Sequence, residues 1–62
     1  MTKQEKQSLA SEIAKIEIEM QSATSEKERK VAAQKIFELS EKIESIDDFF
    51  EIDEYILKIL EK

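Results

Sequence analysis

An all-α fold follows from this sequence on three observations. None of its 62 residues is Gly, Pro or Asn, and tight β-hairpin turns depend on the positive φ that Gly and Asn supply. Its commonest residues include Glu, Lys, Ile, Leu, Ala and Gln, most of which are good helix formers. Its apolar residues recur in steps of three and four, the spacing that lines up one face of a helix. Disorder is the competing class for a chain in which 40% of residues are charged, but an equal 40% are hydrophobic. Those residues are periodic, and a disordered segment is poor in them.

The first helix is expected over about residues 3–21. Thr2 and Glu5 have capping-box spacing, in which each side chain satisfies the other residue's free backbone N–H. Leu9, Ile13, Ile16 and Met20 then step by four, three and four, with Ala23 three further on. They make one narrow stripe, the heptad seam of packed helices.

The second helix is expected over about 26–45. Gln21-Ser-Ala-Thr-Ser25 collects short hydroxyl side chains that favour caps over helix interiors. Ser25 and Glu28 repeat the capping-box spacing, and Glu26 suits the positive end of a helix dipole. A second seam follows through Ala32, Ile36, Leu39, Ile43 and Ile46. Two seams of similar length joined by a short connection predict an antiparallel helical hairpin.

The third helix is expected over about 48–61. The pair Asp47-Asp48 favours a break after Ser45-Ile46, because Asp prefers caps to interiors, with Asp48 and Glu51 at cap-like spacing. The alternative is one continuous helix, since the seam carries on through Phe50, Leu57 and Leu60, with Asp53 out of character. The apolar residues of this segment cover an arc of roughly 200° at about 100° per residue. An ordinary surface helix needs a stripe only somewhat over 100° wide. The segment must therefore sit centrally in a dimer or offer surface to a partner.

Length sets a single domain over 1–62, and a chain this short buries only about 60% of the surface its unfolded form exposes. Without Cys or His neither a disulfide nor a zinc site can add stability. Helix packing and self-association are the remaining routes, so the hairpin and third helix are expected to form a small bundle by homodimerisation. The net charge of −5 argues against nucleic-acid binding, which rests on basic residues meeting phosphates. That charge is uneven: residues 1–37 carry a net +1 and residues 38–62 a net −6. No run approaches the roughly 18 apolar residues of a membrane span, and the charged MTKQEKQSLASE start lacks a secretory signal's apolar core. The expected location is the cytoplasm.

The side chains that carry most chemistry are missing. There is no His, Cys or Gly-rich phosphate loop, and carboxylates on a helical surface lack the cleft that general acid–base catalysis requires. The reading is not an enzyme, with no cofactor. Asp47, Asp48, Glu51 and Asp53 could meet a hard cation, but a calcium loop needs a glycine at its sharp turn. A capped helix start explains the same residues, and no metal is expected. Lys27, Arg29, Lys30 and Lys35 are interleaved with Glu26 and Glu28 and have no aromatic for base stacking. They read as a solvated face with pairs such as Glu26 and Lys30.

Two stretches carry resemblances. Asp48-Phe-Phe-Glu-Ile-Asp-Glu54 resembles the acidic two-phenylalanine motif (FFAT) that docks proteins onto VAP-type receptors of the endoplasmic reticulum. Phe49 and Phe50 match its aromatic pair, and Asp48 and Glu54 its flanking acids. Ile52 departs from the small residue of that motif, which binds extended rather than helical. Met1-Thr-Lys-Gln-Glu-Lys6 resembles the start of the Rop family, plasmid-encoded RNA-binding regulators whose helical hairpins dimerise into four-helix bundles. That resemblance implies a dimeric bundle and an RNA contact at Lys3. The face continuing through Ala10, Ala14 and Ile18, the early turn near residues 22–25 and the third segment all depart from it.

These observations make the chain a small acidic protein-interaction module, a regulator, inhibitor or adaptor that binds another protein through its third helix. Phe49, Phe50, Tyr55 and Ile59 are the candidate anchors, at the spacing that lays a helix into a partner's groove. Glu51 and Glu54 are expected to tune specificity and association rate. Ala14 and Ile18, with Ala10, lie opposite the first seam and form a candidate second interface, where small residues admit a helix closely. The alternatives are a Rop-like dimeric RNA-binding regulator and a purely structural oligomerisation unit whose phenylalanines never leave its own core.

Overall fold

The structure, a computed structural model, describes residues 1–61. Among these residues the fold is three packed helices, with no strand: α1 (Lys3–Ser22), α2 (Glu26–Ser40) and α3 (Ile46–Leu60). The three starts share one chemistry, a hydroxyl at the cap and an acid three residues on. Thr2 and Glu5 form the full reciprocal box, with N–H to oxygen distances of 3.1 and 3.2 Å. At α2 only the Ser25 half is made, its hydroxyl accepting from the Glu28 N–H at 3.1 Å. At α3 the cap is Ser45, whose hydroxyl accepts from the Asp48 N–H at 3.1 Å. Each such cap stabilises its helix by about 1 kcal/mol.

The break between α2 and α3 is therefore real, but its place differs from the expected one. α2 ends at Ser40 rather than near 45, and α3 begins at Ile46 rather than 48. The Ser40 hydroxyl turns back onto the Ile36 carbonyl at 2.8 Å, a bond that competes with continued helix. The chain then tightens, with the Lys42 N–H donating to Leu39 and the Ile43 N–H to Ser40. Ser22 closes α1 in the same manner, its hydroxyl donating to the Ile18 and Glu19 carbonyls. No described residue has positive φ, so these ends do without the left-handed glycine that stops many helices.

α1 is the middle element. It packs against both α2 and α3, whose backbones do not approach each other. The buried core joins Leu9, Ala10, Ile13 and Ala14 of α1 to Ile52 and Ile56 of α3, with Ile36, Leu39 and Ile43 half-buried against it. Ala10 and Ala14 are wholly buried, because methyl side chains let a neighbouring helix come close. The helix they admit is the chain's own α3, while Ile18 one turn on stays exposed. Of the two expected seams, Leu9, Ile13 and Ala32 are buried, and Ile46 at the far end is 71% exposed. Ile46 belongs to α3, beyond the break, so the seam cannot carry it inward.

The result is a flat body, with extents of 35, 26 and 15 Å, the last little more than one helix diameter of roughly 10–12 Å. α2 and α3 seat on neighbouring stripes of α1 and leave a shallow V between them. No helix among the described residues is long and apolar enough to cross a membrane.

Candidate protein-binding face

The open side of that V is a cleft of about 140 Å³. Ile13 and Glu17 of α1 form its floor, Ile36 and Ile43 one wall, and Phe49 and Asp53 the other. Large apolar side chains continue outward from both rims. On α3, Ile46, Phe49, Phe50 and Leu57 are 71, 48, 58 and 52% exposed. Their spacing puts them on one edge of the helix, the edge that also carries Asp53. On α2, Phe37 is 61% exposed and lies one turn before the cleft-lining Ser40. Phe49 and Phe50 meet edge to face, ring centroids 6.0 Å apart, a favoured aromatic geometry.

Five half-exposed side chains at roughly 100 Å² each amount to about 500 Å², near the top of the range for the largest apolar patch on a typical monomer. Among the described residues no cation lines the cleft. Glu17 is half-buried and Asp53 exposed, and among the described residues neither carboxylate makes an ion pair or a side-chain hydrogen bond.

The sequence-predicted anchors divide between two sides of α3. Phe49 and Phe50 lie together on the cleft side of the buried Ile52–Ile56 ridge. Tyr55 and Ile59 fall on its other side, Tyr55 half-buried against the core and Ile59 37% exposed. Glu54 is exposed and unpaired among the described residues.

Glu51 points elsewhere, toward α1. The Lys6 ammonium sits 2.8 Å from a Glu51 oxygen and 3.1 Å from Asp48, and the amino terminus lies 3.9 Å from Asp48. Its hydrogen bonds to Glu51 and then Asp48 hold Lys6 above the usual lysine range. The Lys6 hydrogen bond in turn holds Asp48 below the usual carboxylate range. Bonding to Thr2, first through its backbone N–H, lowers Glu5 likewise. This cluster fixes the start of α3 to the start of α1.

Sequence reasoning missed Ile46, Leu57 and Phe37. The steps of four and seven from Ile46 to Phe50 to Leu57 were legible. Phe37 carried no such signal, because which edge of α2 borders a cleft depends on where α3 docks. The basic residues Lys27, Arg29, Lys30 and Lys35 spread around α2 at about 100° per residue and gather on no single face. Lys30 reaches Glu26 at 4.0 Å. No group of three or more potential metal ligands is assembled among the described residues. No family model, no curated protein and no solved structure matches this chain.

Proposed function

We propose that this chain is a non-enzymatic protein-interaction module, a regulator, inhibitor or adaptor, whose working surface is the apolar face along the α2–α3 cleft. One observation carries the reading: Phe49 lines the cleft, and Phe37, Ile46, Phe50 and Leu57 on its two flanking helices are, like it, about half exposed or more. Large exposed apolar patches with polar rims mark interaction sites, and aromatic anchors dominate the energy of such interfaces. The acidic residues around them, Glu54 among them, would steer a basic partner and speed its association.

A second reading is a homodimer through the same face. Two copies paired this way would bury about 1,000 Å², at the low end for a specific interface. The architecture that goes with it is an antiparallel α1–α2 hairpin. In its favour, Glu12 of α1 shares a groove with Lys42, and Glu19 shares another with Ala32.

Photo-crosslinking separates these readings. A benzophenone amino acid replacing Phe50 should yield a heavier adduct in the native cell, whereas the same group at Lys27 should not. An adduct at twice the chain's mass would favour the homodimer. Equal yields from both positions would remove the face from consideration.

A further inference from the structure

We infer that the occupant of the cleft is an amphipathic helix of another protein, seated as the fourth helix of a bundle and carrying a basic residue into the cleft. The inference rests on the interaction reading above and adds the partner's chemistry.

The shape argues for a helix. α2 and α3 both pack on α1, yet their backbones stay apart, so the shallow V between them is open to a fourth helix laid along it. Four-helix bundles fill that position with a helix nearly parallel or antiparallel to its neighbours. Beyond the cleft lining, exposed apolar side chains remain on both flanking helices for a fourth helix to cover, Phe37 on α2 and Phe50 and Leu57 on α3. An extended strand would find no free sheet edge, because the described residues contain no strand.

The charge argues for a basic residue on that helix. Glu17 on the floor and Asp53 on the wall are the two carboxylates of a cleft whose one other polar side chain is Ser40, already bonded to the Ile36 carbonyl, and no cation among the described residues lines it. A wholly apolar helix would bury both without compensation, which costs a charged group dearly. A second copy of this chain would bring its own Glu17 and Asp53 against them and add like charge, since residues 38–62 carry a net −6. An arginine or lysine whose apolar stem lies along Ile36 and Phe49 while its head reaches the carboxylates satisfies both demands.

The test uses the full chain and a panel of helical peptides about 18 residues long, roughly 27 Å of helix. Each peptide has a leucine stripe, with the leucine spacing varied across the panel. One series has an arginine centred in the stripe. A second moves that arginine to the polar face, which keeps net charge constant, and a third replaces it by norleucine.

Affinity is read by titration calorimetry and position by amide chemical shifts. Binding of the centred-arginine series, with shifts at Phe37, Phe49 and Asp53, is expected. Asp53→Asn with Glu17→Gln should weaken that binding about tenfold and strengthen binding of the norleucine series, which no longer buries two unpaired charges. Equal binding by all three series would overturn the basic requirement while leaving the face an interaction site. If no series binds at the cleft, the helix occupant is excluded. A persistent dimer of the chain alone would give the site to a second copy and overturn the inference.

Discussion

At the scale of single residues, size and position on the helix decide which apolar side chains belong to the fold. Ile52 is 1% exposed and Phe50 58%, although both are large and lie two positions apart. Ile52→Ala should cost about 2–5 kcal/mol, the range for emptying a packed aliphatic site. Phe50→Ala should change stability by no more than about 0.5 kcal/mol, as surface substitutions do. Urea unfolding of the two variants measures the split, and equal losses would mean that Phe50 is part of the core.

The alanines teach the converse. Read from periodicity, Ala10 and Ala14 look like the back of α1, since a seam is traced through large side chains. In the structure they are wholly buried, and their small size is the reason α3 can dock there. Ala14→Leu should therefore destabilise by about 1–3 kcal/mol through overpacking, measured by the same unfolding. A neutral or stabilising result would show that α3 does not press on this stripe.

At the scale of elements, helix starts were more legible than helix ends. A hydroxyl followed three residues later by an acid is written in the sequence at Thr2, Ser25 and Ser45, and all three are caps. At α3 the expected cap pair, Asp48 with Glu51, is displaced by Ser45 with Asp48, because the serine hydroxyl reaches the Asp48 N–H. The ends carry no glycine. They depend on Ser22 and Ser40 turning back onto the preceding turn, a choice the side chain makes only where tertiary packing permits. The five residues between the expected and actual ends of α2 are the cost of that ambiguity.

The α1–α3 contact has an electrostatic component with a defined pH response. Asp48 is held below its usual range by Lys6, so its stabilisation is present at neutral pH and is lost as pH falls below about 4. Lys6 is raised by Glu51 and Asp48, so its contribution is present below about pH 10 and is lost as pH rises beyond the lysine range. Both groups lie near water, and the amino terminus of Met1 stands beside Asp48, so salt should weaken the effect. Asp48→Asn should flatten the acid limb of a plot of unfolding midpoint against pH. An acid limb identical to that of the unsubstituted chain would assign the loss to other carboxylates.

At the scale of the whole molecule, three helices make a flat body with one flank open, and the wide apolar arc of α3 is only partly used within the chain. The sequence showed that arc to be too wide for one groove. It did not show which part would be covered, because that depends on α3 docking beside α1 and away from α2. Phe49 and Phe50 stayed outside and Tyr55 turned partly inward for the same reason. The function proposed here requires that the open flank stays free until another protein fills it.

Sedimentation equilibrium of the chain alone across a hundredfold dilution tests that requirement most directly. The 7.3 kDa mass of one chain is expected throughout, with helical circular dichroism unchanged. A mass twice that value, persisting at the lowest concentration, would contradict it, because the face would already be consumed by a second copy.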